Sequence, residues 1–230
     1  MLFDLRGRGR RRTVQAIYLG LAILMGGGLV LFGIGGATSG GLIDAIQGGS
    51  NSSNAGDVFE KRVDSLEKRT QTNPSDSRAW AQLASLRFQV ATTGENYDQA
   101  NGAYTPKGKA ELRQASAAWQ RHLRLNPDKP DTQVAKQMVQ AYGVAGLRQY
   151  GEAVKALEFV IDATPNPTYQ TYVQLAVLAH GAKQDRKAKL SADKAQELAP
   201  KSQRKTVADQ IKAAEQQLDS LSGAGQPSGQ

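Results

Sequence analysis

What most constrains the fold of this chain is a spacing pattern that recurs from about residue 57 to residue 221. Near the C-terminus it reads Tyr172-x2-Leu175-Ala176-x2-Ala179, then Ala188-x3-Ala192-x2-Ala195-x4-Pro200. Apolar residues three and four apart fall on one face of a helix. The small ones let a paired helix approach closely, and the proline stops the second helix. Upstream, Ala135-x2-Met138-Val139-x2-Tyr142-x3-Gly146 is followed by Tyr150-x2-Ala153-x3-Leu157-x2-Val160-x4-Pro165, with a turn two residues longer. A further unit opens with Trp80-x2-Leu83-Ala84 and closes with Ala115-x3-Trp119-x7-Pro127. Its helices are separated by an insertion of about nineteen residues relative to the repeat period. Gly102 and Pro106 keep a helix from following Gly94–Ala100, so the second helix of this unit is predicted from near Lys107.

The W-x2-L-G-x2-Y, A-x3-F, P order in a period of roughly 34 residues resembles the tetratricopeptide repeat family from about Asp57 to Leu221. The resemblance implies stacked helix–turn–helix units. Ahead of the first unit, Phe59-x3-Val63-x2-Leu66, ending at Asn73-Pro74, is predicted as an unpaired second helix. Beyond Pro200, Val207, Ile211, Ala214, Leu218 and Leu221 share one helical face, as expected of a polar-backed terminal cap. The predicted fold class is all-α: a single transmembrane helix followed by a tetratricopeptide-like α-solenoid of about three repeats with terminal capping helices.

The transmembrane expectation rests on Val14 to Ile34, VQAIYLGLAILMGGGLVLFGI, whose only strongly polar side chain is Gln15. Twenty-one residues at about 1.5 Å each give roughly 31 Å, the thickness of a bilayer's hydrocarbon core. The stretch exceeds the roughly 7–15 apolar residues of a signal peptide and no A-x-A site follows it, so an uncleaved anchor is expected. Five arginines (Arg6, Arg8, Arg10, Arg11, Arg12) against one acid, Asp4, precede it. That places the N-terminus in the cytoplasm and the repeats in the extracytoplasmic space, at a plasma membrane crossed once. Ala22 and Gly26, with Gly27 and Gly28, offer a small-residue surface on which another membrane helix could pack. The expected organisation is 1–13 cytoplasmic, 14–34 transmembrane, 35–56 a Gly/Ser-rich linker, 57–222 helical repeats and 223–230 a disordered tail.

Composition narrows the function. The net charge is +8, yet residues 13–230 carry 24 Lys+Arg and 20 Asp+Glu. The basic excess is therefore not concentrated on the folded part as nucleic-acid binding requires. There is no cysteine, and the two histidines, His122 and His180, lie in different units without ligand-spaced partners, so no metal and no cofactor are expected. No nucleophile elbow, phosphate loop or dinucleotide fingerprint occurs, and Pro106-Lys107-Gly108-Lys109 reads as a turn before a helix. The chain is expected not to be an enzyme.

In the tetratricopeptide family, the residues one and five after the large opening residue of each unit face a partner groove. By that resemblance the groove would hold Ala81, Ser85, Phe88 and Gln89, then Lys136 and Gln140, then Val173, Val177 and His180. Arg78, Gln133 and Gln170 would form its rim. The Lys-plus-Asn carboxylate clamp of chaperone-binding repeats is not reproduced, because Gln140 stands where an Asn would accompany Lys136. Tyr97 and Tyr104 in the insertion either touch a partner or fold the loop back onto the scaffold. The expected function is a membrane-tethered scaffold that binds proteins or peptides. Its architecture is similar to that of bacterial repeat proteins in the cell envelope, including partners of the Sec translocon. The alternative is a structural accessory subunit docked to an integral membrane complex through the glycine-rich helix.

Overall fold

The computed structural model describes residues 52–223 except Asn126. The expected cytoplasmic segment, the transmembrane helix with Ala22, Gly26, Gly27 and Gly28, most of the linker and the tail beyond Gly223 lie outside the described residues. Among the described residues no helix is long and apolar enough to cross a membrane.

The fold is all-α apart from one short hairpin. Helices run α1 Ser52–Thr72, α2 Ser77–Ala91, α3 Pro106–Arg124, α4 Thr132–Tyr142, α5 Tyr150–Asp162, α6 Tyr169–Gly181, α7 Asp185–Leu198 and α8 Arg204–Gly223. Three hairpins form by packing α2 on α3, α4 on α5 and α6 on α7. They are joined by contacts of α2 and α3 with α4, and of α5 with α6. At the two ends, α1 packs on α2, and α8 packs on α6 and α7. The linker boundary needs one correction: α1 begins at Ser52, so residues 52–56 are helical rather than linker. Each residue added to an existing helix gains a backbone hydrogen bond, so a helix anchored by the buried Val63 extends upstream at low cost.

Helix boundaries follow local chemistry. Asp76 accepts from the Ala79 N–H at 2.9 Å and starts α2. Asp131 accepts from the Gln133 and Val134 N–H groups at 3.0 and 3.1 Å and starts α4. Thr105 caps α3 through the Gly108 N–H at 3.2 Å, and Pro106 fills the first helical position, where a missing N–H costs nothing. Four helices end shortly before a proline: α1 before Pro74, α3 before Pro127, α5 before Pro165 and α7 before Pro200. This shared stop groups α1 with the second helices of the hairpins. The turns repeat as well. Arg148 (φ 55°) before Gln149, and Lys183 (φ 58°) before Gln184, each take the left-handed conformation immediately ahead of α5 and α7.

The core runs continuously from Val63 of α1 to Ala188 of α7. Trp119, Tyr142, Leu112 and Met138 are its largest fully buried side chains. Trp119 of α3 meets Phe159 of α5 edge-to-face at 6.3 Å, and Ser116 Oγ lies 2.9 Å from Tyr142 Oη. A second cluster, Ala176, Ala195, Ala199, Val207 and Ile211, seals α8 to the last hairpin. Arg87 of α2 reaches Glu67 of α1 and Glu111 of α3, bonding Glu111 at 2.9 Å. Burial opposes its charge most, but hydrogen bonds to the two carboxylates together with their charge attraction outweigh it and raise the pKa.

The insertion between α2 and α3 is ordered. Strands β1 (Tyr97–Asp98) and β2 (Ala103–Tyr104) pair antiparallel, Tyr97 opposite Tyr104. The Asp98 side chain accepts from the Ala100 and Asn101 N–H groups, and Gly102 takes φ +60°. Gly108 explains how the loop docks. A Cβ there would lie 2.0 Å from the Asn96 carbonyl oxygen, so only glycine lets the start of α3 pass beneath the insertion.

Candidate functional site

The structure divides the expected groove into three parts. On α2, Arg78 is exposed, and Ser85 and Gln89 are half-buried with Gln89 Nε2 3.4 Å from Ser85 Oγ. Ala81 and Phe88 are 3% and 7% exposed and belong to the core. Phe88 is therefore not a groove contact. The α2 face that carries it is covered by neighbouring helices, and an aromatic side chain gains more from burial there than from display. On α4, Gln133 and Lys136 are exposed and Gln140 is half-buried.

On α6 the terminal helix occupies part of the expected surface. Val173 packs against the cluster that holds Val207 and Ile211. His180 Nε2 lies 3.0 Å from Asp219 Oδ1 of α8, with Lys183 Nζ at 3.7 Å from the same oxygen. Hydrogen bonding from His180, opposed in part by desolvation, lowers the Asp219 pKa. Val173 and His180 are thus contacts to α8. Gln170 and Val177 remain half-buried.

The polar face contains amides that family spacing did not pick out. Gln82 is exposed and Gln137 half-buried, and each lies at helical spacing from the residues above: Arg78, Gln82, Ser85, Gln89 on α2, and Gln133, Gln137, Gln140 on α4. The three- and four-residue spacing of polar residues was the available signal. The two helices are in contact. Neither contains an Asp or Glu. The Oε1 atom of Gln137 is buried and has no hydrogen-bond partner. An amide face of this kind can donate to carbonyls and accept from N–H groups, which suits an extended backbone.

The insertion tyrosines fold back onto the scaffold. Their rings meet edge-to-face at 5.0 Å, and Tyr104 packs on the main core. Burial, then the neighbouring Tyr97 phenol, pushes the Tyr104 pKa up to about 12. The turn residues Gln99, Ala100, Asn101 and Gly102 are exposed.

His122 is a structural residue. It is 4% exposed, stacks on Trp119 and places Nδ1 2.9 Å from the Ser77 carbonyl oxygen, while Nε2 accepts from the Asp131 N–H at 3.4 Å. Its ring ties the starts of α2 and α4 to α3. Among the described residues no group of three His, Cys, Asp or Glu gathers to hold a metal ion. No protein-family model, no curated protein and no solved structure matches the chain.

Proposed function

We propose that this chain is a membrane-tethered, tetratricopeptide-like scaffold whose α2–α4 face binds an extended segment of a protein partner in the extracytoplasmic space. The observation that carries this reading is the run of polar side chains on two contacting helices that contain no Asp or Glu: Gln82, Ser85 and Gln89 on α2, and Gln133, Gln137 and Gln140 on α4. Tethering through residues 14–34 holds the face at high local concentration near clients in the membrane or crossing it. The hairpins, their shared proline stops and their repeated left-handed turns support the repeat assignment.

The test is site-specific photocrosslinking in intact cells. A photoreactive residue at Ser85 or Gln140 should capture a discrete partner, and Gln82→Glu with Gln133→Glu, both at exposed positions, should abolish capture by placing two charges on an amide face. Capture that persists in the double variant moves the binding surface elsewhere. Stoichiometric recovery of an integral membrane partner in mild detergent, independent of these substitutions, would favour an accessory subunit held through Gly26 to Gly28.

A further inference from the structure

A second surface, separate from the amide face, lies between α1, α2 and α3. It is a cleft of about 350 Å³ lined by Trp80, Leu83, Ala117 and Ala118, with Arg121 and Arg124 at one end and the Glu67–Arg87 pair at the other. Leu83 and Ala118 are buried, Trp80 is half-buried and Ala117 is exposed, so the floor is apolar and open to solvent. The Trp80 Nε1–H is already spent on the Pro74 carbonyl oxygen at 3.0 Å, which leaves the ring to serve as an apolar wall.

Charge decides what fits. Arg87 is held by Glu67 and Glu111. Arg121 and Arg124 have no carboxylate partner among the described residues, and Arg121 reaches only the Pro74 carbonyl oxygen at a long 3.5 Å. Basic residues in a last turn complement the helix dipole, which accounts for their position along α3. The dipole does not account for both flanking an open apolar cleft. Guanidinium groups there offer paired donors to a carboxylate, and the aromatic floor takes an apolar side chain beside it.

We propose that this cleft docks an acidic segment of a partner protein, with one large apolar side chain against Trp80 and Leu83 and an adjacent carboxylate between Arg121 and Arg124. The volume admits little more than one such side chain, so the recognised element is a short motif. The proposal does not rest on the amide face.

The chain reports on its own cleft. It has two tryptophans, and Trp119 is 2% exposed, so a ligand-induced shift in tryptophan emission comes from Trp80. The full chain in mild detergent is titrated with a fluorescein-labelled short peptide of alternating leucine and glutamate. Binding should shift the emission and raise the anisotropy. Arg121→Gln with Arg124→Gln should weaken it by roughly tenfold or more, the size of a lost charge-assisted hydrogen bond. Ala117→Glu, at an exposed helical site, should weaken it similarly by repelling the carboxylate. The same peptide with glutamine for glutamate should bind at least about tenfold more weakly. No response to the acidic peptide, equal binding of the glutamine peptide, or unchanged affinity in both variants overturns the proposal. A tryptophan response to phosphatidylserine vesicles that the acidic peptide fails to reproduce also overturns it, in favour of a lipid contact.

Discussion

Tyr104 shows how one side chain fixes the insertion. Its phenol is held by burial and by Tyr97 at a pKa near 12, above the ordinary value of 10.0. A folded-state pKa raised above the unfolded one means that the folded chain holds the proton more tightly. The associated stability is complete below pH of about 10 and is lost as pH climbs through about 12. Burial also raises the phenol pKa of Tyr142 and Tyr150, so alkaline titration followed by tyrosine absorbance should show a group of late-ionising phenols that loses one member in Tyr104→Phe. The melting temperature of the wild type should fall over the same interval more steeply than that of the variant. A late phase of unchanged amplitude in Tyr104→Phe would mean that the loop does not dock. The roles of single residues were the least legible part of the sequence. Spacing placed Phe88 on the groove because it follows Ser85 by three, yet which side of α2 is covered depends on α1 and α4, which no local pattern encodes. Gly108 read as part of a turn, and its actual constraint is a carbonyl from Asn96, twelve residues upstream.

At the scale of elements the sequence was far more transparent, because helix starts and stops are local chemistry. Asp76, Thr105 and Asp131 cap helices, and prolines follow α1, α3, α5 and α7. Of the five apolar residues expected on one face of α8, Val207, Ile211 and Leu218 are 7% exposed or less and Ala214 is half-buried, whereas Leu221 is 37% exposed, near the end of the helix. What periodicity did not reveal was the extent of its seat. Asp219 reaches His180 and Gln203, just ahead of α8, accepts from the Tyr169 hydroxyl at 2.9 Å, so the terminal segment spans α6 from its first residue to its end. Truncating Ile211 to alanine should destabilise the chain by about 2–5 kcal/mol, since the cavity opens in a small cluster of mainly alanine neighbours that cannot refill it. Thermal unfolding monitored by circular dichroism measures this. A variant that melts like the wild type would mean that α8 is not part of the cooperative unit.

For the whole molecule, the proposed membrane span at Val14 to Ile34 carries a prediction of topology, and the argument is electrostatic. The arginines before Val14 form a short, dense cluster, whereas the basic residues of the helical unit are interspersed with nearly as many acids. Orientation follows the lysine and arginine bias of short flanks, while long domains translocate largely regardless of charge. We therefore expect the five arginines to hold their end inside and the helices to be exported. In an exporting bacterium, alkaline phosphatase fused after Gln230 should be active, and a fluorescent protein that folds only in the cytoplasm should be dark at the same position. Replacing Arg6, Arg8, Arg10, Arg11 and Arg12 with glutamine should shift both reporters the other way, because the bias that fixes the orientation is gone. A dark phosphatase with a bright fluorescent fusion on the unaltered chain would put the helices in the cytoplasm. Both docking surfaces, the amide face and the Trp80 cleft, would then need cytoplasmic partners. If removing the arginines left both reporters unchanged, the cluster would not be what orients the chain.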